Sequence, residues 1–244
     1  MRRLAEVRVG VDRSGAAPPP ALFSCLPAQE VLDHVRPAID PDSLLTSQEA
    51  ARAGRLSLEL DRRDFVAARV LARLLIARRH GQGADPAAIA GIAFSQRCER
   101  CGAAHGRPFV DVPGERVSWA HAGGYVAAVA GNGPVGVDVE PLTSLGRGAW
   151  EGAPDLRSWV RAEALLKWGD GTLDQAATWL PALTGPPSTR GRHYLVGDDG
   201  QPRRARGMPA GVRGVVVTDA PRAAVPVACS AATEARAQWV DPLS

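Results

Sequence analysis

Apolar positions along the chain recur at helical spacing in one long segment and gather into short runs in several others. From Asp61 to Arg79, Phe65, Val66, Ala68, Leu71, Ala72 and Leu75 fall at three- and four-residue intervals, which predicts a strong helix. Residues 46–53 open with Thr46 or Ser47 as a cap and carry Glu49 in the first turn, a second helix start. Ile92–Phe94 reads as a short strand. Tyr125–Ala130 and Val135–Glu140 are apolar runs joined by Gly131-Asn132-Gly133-Pro134, and Asn-Gly between such runs predicts a hairpin. Ser158 caps a predicted helix over Trp159–Trp168 that Gly169 and Gly171 end. Further strand-like runs are Val7 to Val11, His193–Val196, Gly214–Thr218 and Ala224–Cys229, with a proline-rich spacer at 14–20. Helix and hairpin material recurs in both parts of the chain without a sequence repeat. The expected class is α+β in two halves, 1–134 and 135–244.

Composition narrows the function. A chain of 244 residues that is 45% apolar can bury a core, which excludes a disulfide-stapled miniprotein and a disordered tail. Aromatics make up only 5%, so that core must lean on alanine, valine and leucine. No run approaches about 18 uncharged apolar residues, and no apolar run follows the first arginines. No membrane span, no signal peptide and a reducing cytoplasm are therefore expected. A net charge of +3 is too small for a dedicated nucleic-acid binder and points to local anion handling. Seven arginines against three acids between Arg55 and Arg79 make the long helix locally basic, with Arg62, Arg69 and Arg73 on one stripe. One feature stands out: of 29 basic residues, Lys167 is the single lysine.

Two segments carry chemistry. In Gly136-Val137-Asp138-Val139-Glu140, strand alternation puts Asp138 and Glu140 on one face and the valines on the other. Two neighbouring carboxylates repel unless something positive lies between them, and a hard cation such as Mg²⁺ is a common solution. In Trp159-Val160-Arg161-Ala162-Glu163-Ala164-Leu165-Leu166-Lys167, helical spacing aligns Trp159, Glu163 and Lys167 on one side. Lysine is a compact point charge and arginine a planar fork, so a tight phosphate site can require the former.

These segments, GVDVE and WVRAEALLK, resemble the 4′-phosphopantetheinyl transferases of the Sfp type, which carry a glycine-valine/isoleucine-aspartate-x-glutamate strand and then a tryptophan-x-x-lysine-glutamate-alanine-x-x-lysine helix. Upstream, Gly106-Arg107-Pro108 and Ser118-Trp119-Ala120-His121 are similar to that family's glycine-lysine/arginine-proline turn and serine-histidine strand. The likeness runs in order from about Arg55 to Gly171. It departs at Ala162 and Ala120, where the family has lysine and serine, and in a short 141–158 segment.

The resemblance implies a fold of two pseudo-symmetric halves, each a helix on a small, mostly antiparallel sheet, with coenzyme A in the cleft between them. It implies Asp138, Glu140 and Glu163 as Mg²⁺ ligands and Lys167 as a contact to the coenzyme A pyrophosphate. Arg107 and His121 would line the coenzyme A site, and Arg52, Arg55, Arg69 and Arg73 would meet its 3′-phosphate. The implied reaction moves 4′-phosphopantetheine to a serine of an apo acyl or peptidyl carrier protein, with Glu163, or a water oriented by Glu140, as base. Asp138, Glu163 and Lys167 would carry the chemistry in a monomer that binds neither nucleic acid nor membrane. Competing readings are a degenerate homologue that binds coenzyme A without efficient transfer and an anion-binding regulatory module.

Cys98-x-x-Cys101 with His105 has the spacing of three zinc ligands, with Cys25 or Cys229 as a candidate fourth. A lone C-x-x-C is weak evidence, so reduced, metal-free cysteines are the expectation. His34, His80 and His193 are read as surface or packing residues.

Overall fold

The computed structural model describes residues 20–98, 101–141, 156–168, 214–219, 227–233 and 237–243. In chain order the elements are β1 (Ala21–Pro27), α1 (Ala28–Val35), a 3₁₀ turn (Pro41–Leu44), α2 (Ser47–Ala53), α3 (Glu59–Arg79) and α4 (Pro86–Gly91). There follow β2 (Phe94–Gln96), β3 (Pro108–Val110), β4 (Arg116–Ala122), β5 (Tyr125–Gly131) and β6 (Val135–Pro141). The last described elements are α5 (Leu156–Trp168), β7 (Gly214–Asp219), β8 (Val227–Thr233) and β9 (Ala237–Trp239). The class is α+β with small, mostly antiparallel sheets. Among the described residues no helix is long and apolar enough to cross a membrane.

Three sheets form. The first has the order β4-β5-β1-β9, antiparallel except where β9 runs parallel to β1. A second pairs β2 with β3, and a third has the order β6-β8-β7. Strand alternation sorts the first sheet's side chains into two cores. Leu22, Leu26, Val117, Val126 and Ala128 join α3, whereas Phe23, Cys25, Ala127 and Val129 meet Val135, Val137 and Val139 of β6. The resulting layers run α3, first sheet, third sheet, α5. Helix α3 lies between α1 and the first sheet, and every residue from Asp64 to Ala77 is buried, including Arg69 and Arg73. The capping box expected at α2 is present: the Thr46 hydroxyl accepts from the Glu49 amide at 3.3 Å, and Glu49 accepts from the Thr46 amide at 2.9 Å.

The predicted hairpin between Tyr125–Ala130 and Val135–Glu140 does not form. Both runs are strands, but β5 pairs with β1 and β4, while β6 leaves for the third sheet and pairs with β8. Neither Asn132 nor Gly133 takes the positive φ of a type I′ turn, and Pro134 has no amide to donate. The tight hairpin is instead β4–β5, turned by Gly123 and Gly124 at φ 56° and 87°. The Gly124 amide donates to Asp64 of α3 at 2.9 Å, which ties this turn to the central helix. The strand expected at Ile92–Phe94 begins at Phe94, and α5 begins at Leu156, so Ser158 is a buried residue inside the helix rather than its cap. The runs at Val7 to Val11 and His193–Val196, Ala224 to Pro226, Gly169 and Gly171 lie outside the described residues.

Candidate active site

The acid-bearing face of β6 is opposite the face that enters the inter-sheet core. Val137 and Val139 are sealed there, so Asp138 and Glu140 turn toward α5. Gly136 sets how closely that helix approaches: a Cβ on it would overlap the Ala164 carbonyl oxygen and the Trp168 amide nitrogen. With the helix backbone against the strand, Glu163 and Lys167 reach over the carboxylates. Lys167 Nζ donates to Asp138 Oδ1 at 2.6 Å and lies 3.6 Å from Glu163 Oε2.

These groups perturb one another. Burial, with the negative charges of Glu163 and Glu140, pushes the Asp138 carboxyl up to about 7 in spite of Lys167. Burial and Glu163 raise Glu140. Burial works against the Lys167 charge, but Asp138 and Glu163 outweigh it and raise the ammonium's pKa. Three carboxylates face one ammonium, and Asp138 Oδ2 is buried without a hydrogen-bond partner. Three carboxylates around one ammonium and an orphaned carboxylate oxygen fit a hard divalent cation, with Asp138, Glu140 and Glu163 as its oxygen donors.

The opposing wall comes from α2, α3 and β4. A cavity of about 330 Å³ is lined by Asp138, Glu140, Glu163 and Lys167 on one side and by Arg52, Phe65, Arg69, Trp119 and His121 on the other, with Gln96 at its rim. The Arg69 guanidinium lies 3.2 Å from the centre of the Phe65 ring and 5.0 Å from that of Trp119, and donates to the Phe65 carbonyl at 2.9 Å. Arg69 and Arg73 are both paired with Glu49, at 3.3 and 3.0 Å. Among the described residues, that one carboxylate serves two buried guanidiniums. Burial above all, then repulsion from Arg52 and Arg73, pulls the Arg69 pKa down to about 9 in spite of Glu49. Burial and the Arg69 charge likewise hold the His121 imidazole below its ordinary value.

Seven of the ten residues singled out in the sequence line this cavity: Arg52, Arg69, His121, Asp138, Glu140, Glu163 and Lys167. Three do not. Arg73 is sealed below it, over the Phe94 ring, bonded to Glu49 and to the Ile92 and Arg69 carbonyls at 3.0 and 3.2 Å. Arg55 is exposed in the link from α2 to α3, and Arg107 is exposed in the β2–β3 loop. Sequence reasoning missed Phe65, Gln96 and Trp119 as wall residues, Gly136 as the point of closest approach, and Glu49 as the shared counter-charge. Cys25 and Cys229 do not join Cys98 and Cys101. Both lie in the inter-sheet core, where a hydrogen bond with Cys25 and then burial raise the Cys229 thiol well above its usual value. No model of a known protein family matches the chain, and no curated protein matches it.

Proposed function

We propose that the chain transfers 4′-phosphopantetheine from coenzyme A to a serine of an apo carrier protein, the activity implied by the resemblance of its GVDVE and WVRAEALLK segments. One observation supports this above others. Segments far apart in sequence contribute to a single cavity a carboxylate trio with one lysine on one wall and guanidiniums with an aromatic shelf on the other. A substrate bearing a pyrophosphate and a further phosphate, accompanied by a divalent cation, matches both walls. In this reading the halves 1–134 and 135–244 form a pseudo-symmetric pair with the coenzyme A cleft between them, α3 and α5 being counterparts on the outer faces of the sheets. The chain acts as a cytoplasmic monomer.

The chemistry follows from the side chains. The carrier serine oxygen attacks the β-phosphorus of coenzyme A, a new P–O bond forms, and the bond to the bridging oxygen breaks to release adenosine 3′,5′-bisphosphate. Glu163 takes the serine proton. Lys167, already the counter-charge of Asp138, meets the pyrophosphate oxygens and offsets charge growing on the leaving group. Arg52 and Arg69 orient the nucleotide end through its 3′-phosphate. Mg²⁺ held by Asp138, Glu140 and Glu163 would supply Lewis-acid neutralisation of the pyrophosphate.

The test is incubation with coenzyme A, Mg²⁺ and a panel of apo carrier proteins, read by intact mass. The expected result is Mg²⁺-dependent addition of one phosphopantetheine group to one serine. A panel left unmodified by a protein that still binds coenzyme A would overturn transfer in favour of the degenerate homologue.

A further inference from the structure

The β2–β3 loop holds a second group of chemically capable side chains, apart from the cavity walls. One donor atom each from Cys98, Cys101 and His105 lies within 4.8 Å of the other two, and Cys101 Sγ is 3.0 Å from His105 Nε2. The backbone builds this cluster as a knuckle. The Gly102 amide donates to the Cys98 carbonyl at 2.7 Å, and the Cys98 and His105 amides both donate to the Ala103 carbonyl, at 2.9 and 2.8 Å. Gly102 directly after Cys101 and Gly106 directly after His105 take φ values of 69° and 95°, so the chain doubles back twice within a few residues. Cys101 is a free thiol.

Cys101 and His105 are exposed, so burial does not hold these two side chains together. Two thiols and an imidazole at C-x₂-C-x₃-H spacing are borderline-soft donors, suited to zinc and unsuited to the hard cation that the carboxylates fit. Against the expectation of metal-free thiols, we propose that Cys98, Cys101 and His105 bind one zinc ion, with water in the fourth position. The ion clips a loop that bears on the cavity. Gln96, the last residue of β2, donates from its side chain to the Gly106 carbonyl at 2.6 Å and also stands at the cavity rim.

The test is a Co²⁺ titration of the reduced, metal-free full chain, followed by addition of Zn²⁺. At about one equivalent, the expected spectrum has thiolate-to-cobalt charge-transfer absorption and the intense d–d bands of a tetrahedral ion, both erased by Zn²⁺. Cys98→Ser and Cys101→Ser should each lose these bands. Glu163→Gln should keep them, since the carboxylate site is separate. Because Cys101 is exposed, its variant is expected to fold, which circular dichroism checks. Absence of the bands in the wild type, or their survival in Cys101→Ser, would overturn the proposal.

Discussion

Gly136→Ala adds one methyl group and tests whether the approach of α5 to β6 sets the geometry of the site. The new Cβ would overlap two backbone atoms of α5, the Ala164 carbonyl oxygen and the Trp168 amide nitrogen. The third nearest, the Lys167 carbonyl carbon at 2.9 Å, is also inside the 3.4 Å of ordinary contact. Backbone atoms cannot rotate away as a side chain does. The strand cannot yield easily either, because Val135 and Val137 are locked in the inter-sheet core and Gly136 is in register with Ala232 of β8. The helix must therefore retreat. Overpacking of this kind costs about 1–3 kcal/mol, and for a chain of this size each kcal/mol lowers Tm by about 2–4 °C, so a fall of roughly 2–12 °C is expected. The retreat would also stretch the 2.6 Å bond from Lys167 to Asp138. Displacing reacting groups by about 1 Å costs on the order of a hundredfold in rate. Gly54→Ala is the control: its Cβ would lie 3.5 Å from the nearest atom, the Ala50 carbonyl oxygen, and Tm should barely move. Thermal melts and transfer rates for both variants decide the matter. A Gly136→Ala protein with wild-type Tm and wild-type rate would refute the close-approach argument.

Other outcomes are expected from the charges. Lys167→Arg should fail nearly as badly as Lys167→Ala, by about 2–4 kcal/mol in the transition state or roughly thirty- to a thousandfold in rate, because a planar fork cannot occupy the gap between Asp138 and Glu163; an active arginine variant would make the lone lysine an accident of composition. In chelator, the folded protein holds the Asp138 proton from pH 3.8 up to about 7 while the unfolded chain has already released it, so stability falls as pH rises through that window, by at most roughly 4 kcal/mol. Asp138→Asn keeps Glu140, Glu163, Lys167 and Cys229 yet lacks this decline, so its stability relative to wild type should rise from pH 4 to pH 7; parallel curves from denaturant melts would contradict the assignment. Glu49→Gln should leave Arg69 and Arg73 as buried cations without their carboxylate and cost about 3–5 kcal/mol, with added inorganic phosphate restoring more Tm in the variant than in the wild type; an unchanged melt would show that the pairing contributes nothing.

What the sequence reveals here is local, and what it hides is pairing. Helix α3 is legible because its apolar spacing needs no partner to be seen, and the α2 cap is legible because Thr46 and Glu49 are three residues apart. The candidate site is legible to the extent that it consists of two short segments, β6 and α5, each with its own periodicity. The strand partners are another matter. Asn132-Gly133 carries the stronger turn signature, yet the chain turns at Gly123-Gly124. The decisive interactions are long-range: β5 is claimed by β1, about a hundred residues earlier, and β6 by β8, about ninety later. The arginine stripe shows the same limit. Spacing identifies a basic face on α3 but not that the helix is enclosed, nor that Glu49 reaches across from α2 to hold Arg73 away from the cavity.

The two walls of the cavity share one physical feature, an excess of a single sign of charge held out of water. Around Arg69 the cations Arg52, Arg69 and Arg73 gather near the single carboxylate of Glu49, and burial above all pulls the Arg69 pKa down to about 9. Around Asp138 three carboxylates face one ammonium, and burial above all, then Glu163 and Glu140, drives the Asp138 carboxyl up to about 7. Each excess costs folding free energy, and apolar residues of similar volume at such positions often leave a protein equally or more stable. A chain shaped for stability alone has no reason to keep both. On the proposed function, one ligand would supply both missing charges together: anionic oxygens toward the arginines and a divalent cation toward the carboxylates. That requirement is narrower than anion binding, which would leave the carboxylate wall unexplained, and narrower than cation binding, which would leave Glu49 shared between two guanidiniums for no purpose. On that proposal, a phosphorylated nucleotide accompanied by its metal would meet both demands at once.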